Sequence, residues 1–156
     1  MINDFCHLFK REFKIGFNDF FTIISFSSFF LISILIFVFA FGSIPIEISL
    51  FYNPMVWVIL IFSIMLVSEN FTYNDYLDGS LKELQFLGYS EELIILSKAL
   101  IMWLMIIIPS LFLVPLSCIF FKLSLIESVL LFVSIILASP SLILISLVAS
   151  LFSIQL

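Results

Sequence analysis

Charge is what this chain has least of: 6 Lys and Arg and 11 Asp and Glu in 156 residues. So few ionisable groups cannot clothe a water-facing surface, and a mean hydropathy of +1.34 with 63% hydrophobic residues excludes an ordinary soluble domain. Six cations also exclude a basic face for nucleic acid, so no nucleic-acid partner is expected. Cysteine is nearly absent, with Cys6 and Cys118 most of the chain apart, and His7 is the single histidine. There is no C-x-x-C, no C-x-x-C-H and no Cys/His spacing of the kind that holds zinc, so no disulfide, metal site or covalent haem is expected. A G-x-x-x-x-G-K-[ST] phosphate cradle is missing too, as is a nucleophile with a partnered base. The reading is therefore a non-enzymatic protein with no catalytic residues and no cofactor bound directly.

What the chain has instead is long uncharged runs. A hydrocarbon core of roughly 30 Å takes about 20 helical residues at 1.5 Å each, so there is room for about four crossings. The expected fold is all-α: one polytopic transmembrane helical bundle over residues 1–156, with spans at 21–42, 54–71, 99–121 and 125–152. The span from Phe21 carries no charge and no cleavage signal, which predicts an uncleaved first helix. Before it, Ile2, Phe5, Phe9, Phe13, Phe17 and Phe20 recur every three or four residues, while Lys10, Arg11, Glu12, Lys14 and Asp19 fall largely off that stripe. The arm 1–19 is predicted as an amphipathic helix in the membrane interface, phenylalanines in the acyl boundary and cations at lipid phosphates; the plainer alternative is an extension of the first span. Lys10, Arg11, Lys14, Lys82 and Lys98 then lie on one side and Lys122 on the other, which puts the amino terminus in the cytoplasm.

Smaller signals punctuate the runs. Asn53-Pro54 reads as a helix start, and Pro109, Pro115 and Ser139-Pro140 fall inside spans, where proline marks kinks. Glu127, near the outer end of the fourth run, is a cost that a full apolar span outweighs. Ser146 with Ser150, and Ala149 with Ser153, are four apart and would let another helix approach closely.

The polar residues gather in one window, 69–98, predicted as a cytoplasmic loop. Glu69 stands at its membrane edge, at the unfavourable end of a helix dipole, which makes it a functional candidate; equally, it marks where the helix meets water. Asp78-Gly79 is a turn signal, and Ser80-Leu81-Lys82-Glu83 matches the S-x-x-E capping box, predicting a short helix from Leu81. Leu77, Leu81, Leu84 and Leu87 would give that helix an apolar edge for a partner or for the spans, Gly88 would end it, and Ser90 with Glu91 and Glu92 would start a second helix that enters the membrane.

In order along the chain stand Pro54 and Trp57, Glu69 twelve residues later, the run from Phe71 to Leu81 closing on D-x-x-D-G-S-L, Lys98 and Trp103 five apart, and Ser139-Pro140. This series resembles the CcmB family, haem exporter protein B, the permease subunit of the cytochrome c maturation ABC transporter. The resemblance implies an ABC-2-type permease fold in a bacterial inner membrane or an organellar one descended from it. It also implies a CcmA-type ATPase on the cytoplasmic loop, CcmC- and CcmD-type subunits in the same complex, and haem as a transported or handled ligand. The residues it implicates in coupling are Glu69, Asp75, Asp78, Gly79, Ser80, Leu81 and Glu83. For Asp78, Gly79, Ser80 and Glu83, capping and turning the chain is the competing explanation. Family members have about six spans, so a chain shortened after its fourth is expected. The other readings are a permease of a different ABC-2-type exporter and a truncated, non-transporting membrane protein.

Overall fold

In the computed structural model, residues 2–18, 20–41, 49–121 and 124–155 are described. They form α1 (Ile2–Asn18), α2 (Phe20–Phe41), α3 (Ser49–Leu77), α4 (Ser80–Phe86), α5 (Glu91–Phe120) and α6 (Leu125–Gln155), with no strand among the described residues. Four of these, α2, α3, α5 and α6, are long and apolar enough to cross a membrane, which bears out the all-α polytopic reading. α2 and α6 each pack on both α3 and α5, so the four make a ring ordered α2–α3–α6–α5; α1 lies on α5 and α4 on α3. α3 and α5 face each other across the ring and meet through long side chains, Tyr52 to Ser117 at one end and Asp75 to Lys98 at the other.

Hydrophobicity alone does not sort inside from outside here, because lipid is as apolar as the core. Phe26, Phe30, Leu60, Ile64, Met102 and Ile143 are buried, while Phe39, Phe112 and Ile145, of the same chemistry, face outward. Serine does part of the sorting. The hydroxyls of Ser63, Ser68, Ser97, Ser110 and Ser117 donate to carbonyls three or four residues back, so each polar group is satisfied within its own helix. Among the described residues, no buried side-chain nitrogen or oxygen lacks a partner. Ser68 and Ser146 also bond to each other, so the helix that approaches the small residues of α6 is α3 of the same chain.

Several boundaries differ from expectation. α3 begins at Ser49, so Asn53-Pro54 lies inside a helix already under way, and it runs to Leu77, past the predicted end. As the sixth residue of α3, Pro54 has no N–H for the Leu50 carbonyl, one bond near its start that this 29-residue helix forgoes. Much of the predicted outer loop, and Lys122, fall outside the described residues. Glu127 is more than a tolerated charge: its carboxylate accepts from the Ser124 amide (3.1 Å) and hydroxyl (2.8 Å), and its own amide reaches Ser124 Oγ at 3.4 Å. That is the reciprocal capping box, at the start of α6.

Proline in α6 is accommodated by its neighbour. Pro140 has no N–H for the Ile136 carbonyl, and the Ser139 hydroxyl donates to that carbonyl at 3.3 Å. The same Ser139 oxygen accepts from Trp103 Nε1 at 2.8 Å, which ties α5 to α6.

Candidate functional site

The polar window is almost entirely helix. Residues 69–77 complete α3 and 91–98 open α5, so the chain leaves helix only around Asp78-Gly79 and between Leu87 and Ser90. At the first break the Asp78 amide donates to the Asn74 carbonyl and the Gly79 amide to the Tyr76 carbonyl, with Gly79 at φ +69°, a conformation that glycine adopts without steric cost. At the second, Gly88 at φ +84° ends α4 as expected. Ser90 does precede α5 in an extended conformation with Glu91 and Glu92 in the first turn, but its hydroxyl makes no capping bond.

Ser80 also departs from expectation. α4 starts at Ser80 itself, and the Glu83 amide bonds to the Gly79 carbonyl. Its hydroxyl turns back to Asp75, to Oδ1 at 3.0 Å and the carbonyl at 3.3 Å, so the S-x-x-E pattern here forms no capping box. The hydroxyl proton goes to a charged acceptor one turn back, and the Glu83 amide takes the Gly79 carbonyl instead of the Ser80 oxygen.

Asp75 leads into the most buried charges of the molecule's described part. Its other oxygen, Oδ2, accepts from Lys98 Nζ at 2.5 Å, and Lys98 also donates to Glu12 Oε2 at 3.0 Å. The remaining Glu12 oxygen accepts from Arg11 at 2.7 Å. Lys98 is 4% exposed and Glu12 1%, with the Phe71 ring 5.3 Å from the ammonium. Arg11, Glu12, Lys98 and Asp75 sum to no net charge, so the buried Glu12 and Lys98 are compensated by each other and by the half-buried Arg11 and Asp75. Charge-assisted bonds occupy every carboxylate oxygen. Counting along the helices, the cluster lies 19 to 23 residues from the Tyr52–Ser117 bond, roughly 29–35 Å, about one hydrocarbon thickness. It therefore stands at one membrane boundary, with Tyr52 near the other.

Glu12 lies off the phenylalanine stripe, as expected, but it is buried where Lys10 and Lys14 are exposed. The docking face of α1 is Leu8–Glu12–Gly16, one residue per turn. Leu8 joins Leu84 and Ile94 in a small core with Tyr89 and Leu93 beside it, and Gly16 lies so close to α5 that an added Cβ would sit 2.7 Å from Ile101 Cγ2. Phe9 packs on the main core, while Phe13, Ile15, Lys10 and Lys14 are exposed. The i, i+4, i+8 spacing of an apolar residue, a carboxylate and a glycine was the available signal.

The expected coupling residues thus separate into three groups. Asp75 and Ser80 are bonded to each other and turned to the protein, while Gly79 supplies the turn between them and a Cβ there would meet open space. Asp78 and Glu83 are exposed on the turn and on α4, and Leu81 lies in α4 with its side chain outside the described residues. Glu69 stands apart, about 9 Å along α3 from Asp75, exposed beside Met65, Ala149 and Ser153 in a groove of about 180 Å³ between α3 and α6. The expected leucine edge is split: Leu84 turns in, Leu77 and Leu87 face out, and Phe86 is 90% exposed. With Tyr73 and Tyr76 also exposed, this end presents apolar rings among carboxylates beside a turn that is bonded to α3. Such a surface suits a protein partner better than a small molecule.

Among the described residues, no group of three His, Cys, Asp or Glu side chains could hold a metal. No curated protein matches the chain. The sequence profile of one family, described as CcmB protein, matches residues 3–156.

Proposed function

The chain belongs to the CcmB family, permease components of the haem-exporting ABC system, and from that premise we propose that it couples a partner ATPase through α4 and the Asp78-Gly79 turn. With its four apolar helices it is a multi-pass inner-membrane protein. One observation carries the coupling reading. The exposed Asp78, Glu83, Phe86 and Leu87 are held on a turn that Ser80, Asp75 and Lys98 fasten to the membrane helices. A force applied to α4 by a soluble partner passes to α3 and α5 without being absorbed by loose chain.

In this reading the window faces the cytoplasm with the amino terminus, and ATP binds to a CcmA-type ATPase. CcmC- and CcmD-type subunits complete the assembly, and haem is handled with them in cytochrome c maturation. Asp78 and Glu83 pair with cations of the ATPase while Phe86 and Leu87 fill an apolar recess on it. Gly79 and Ser80 set the angle of α4, and Leu81 is carried by that helix; Glu69 marks the loop's membrane edge.

The test is co-purification. Asp78→Lys with Glu83→Lys is expected to weaken retention of a co-expressed CcmA-type ATPase at least tenfold while membrane insertion is unchanged. Undiminished retention would leave these residues only their turning role. A thiol at Asp78→Cys is expected to react with an impermeant maleimide from the cytoplasmic side alone.

A further inference from the structure

Glu12 belongs to none of the elements on which the coupling reading rests, yet it is the most buried carboxylate among the described residues and its partners reach the turn. From Glu12 the bonds run to Lys98 of α5, from Lys98 to Asp75 of α3, and from Asp75 to Ser80 at the start of α4. We propose that Glu12 is a positioning residue of the coupling apparatus, which through Lys98 and Asp75 makes the amino-terminal helix α1 move as one body with the turn and α4. The inference rests on the coupling reading for its purpose, but its physical content is a linkage within this chain.

Three features make the linkage specific. Lys98 is the shared cation of two carboxylates on different helices, so α1 cannot leave without exposing a buried ammonium or stranding Glu12. The flanking contacts of α1 are short-range: Leu8 lies in the small core with Leu84 and Ile94, and Gly16 allows a backbone approach that any larger residue would prevent. They fix where α1 docks, whereas the ion pairs decide whether it stays docked when the turn shifts. The far ends of the network are also closed. Arg11 holds the second Glu12 oxygen and Ser80 the second Asp75 oxygen, so a displacement at Ser80 has no slack in the side chains to take it up.

The experiment needs no ATPase, so its failure is distinct from failure of the coupling reading. In full-length protein in native membranes, with Cys6→Ser and Cys118→Ser, a reporter Leu8→Cys is buried between α1, α4 and α5. Its rate of reaction with an impermeant maleimide reads α1 undocking. Asp75→Asn, whose bonded route to α1 runs through Lys98, is expected to speed labelling at least fivefold, and Lys98→Met more. Lys98→Arg, which keeps the charge, is expected to restore most of the protection. Glu12→Gln alone is expected to match Asp75→Asn, and the double variant to exceed neither by more than twofold, since both break one chain of bonds. A second reporter, Ser117→Cys, reads the opposite end and should stay protected in every variant. Labelling at position 8 that ignores Asp75→Asn and Lys98→Met would overturn the linkage, as would a double variant in which the two effects multiply.

Discussion

The two ends of the helix ring solve the same problem with different chemistry. At one end Tyr52 reaches across from α3 to Ser117 of α5 at 2.5 Å, its ring 4.7 Å from that of Phe121. Because the Ser117 hydroxyl donates to the Val114 carbonyl, Tyr52 is the donor of that bond. At the other end Asp75 and Lys98 join the same two helices, but they recruit Glu12 and Arg11 of α1 and Ser80 of α4. A neutral bond is enough to hold two helices together. Buried charge, which costs desolvation and returns little net stability, stands where four elements must keep a fixed relation.

That contrast is broken most directly at Lys98. Lys98→Met strands Glu12 and Asp75 with only Arg11 nearby, and on the order of 3–5 kcal/mol of stability should be lost, read as the thermal unfolding of detergent-purified protein. Lys98→Arg should lose far less. Next in size is Gly16→Val, which forces side-chain atoms against Ile101 and Met105 and should cost about 1–3 kcal/mol by the same measurement. The smallest effect belongs to the neutral end. Tyr52→Phe removes the bond to Ser117 and a weak one to Cys118 Sγ at 3.5 Å, and leaves Ser117 bonded to Val114, so a loss of roughly 0.5–1.5 kcal/mol is expected. If Tyr52→Phe proved as damaging as Lys98→Met, the two ends would not differ in the way described.

The class of fold was legible because length and hydropathy decide it, and the first span agrees with α2 to within one residue at each end. The glycine turns at Gly79 and Gly88 were legible because their punctuation is local. What local pattern could not decide was which partner a polar side chain chooses. The same S-x-x-E spelling occurs at Ser80 and at Ser124; only the second forms the reciprocal cap, because at the first the hydroxyl is turned back to a carboxylate on α3 and the Glu83 amide bonds to the Gly79 carbonyl. Glu12 escaped for a related reason. Its spacing with Leu8 and Gly16 marks one face of α1, but its partner Lys98 is 86 residues away, and the spacing alone does not name that cation. Asp75 and Lys98 both lay in the motif shared with the family, as did Trp103 and Ser139, and the structure turns each of these pairs into a bond between helices.

Coupling through α4 is tested most directly at Phe86, the most exposed of the large hydrophobic residues described. A photoreactive benzoylphenylalanine there, in the assembled complex in native membranes, is predicted to crosslink to the ATPase subunit, and the same probe at outward-facing Phe112 of α5 to lipid alone. An ATPase that co-purifies with the chain yet takes no crosslink from position 86 would contradict the account.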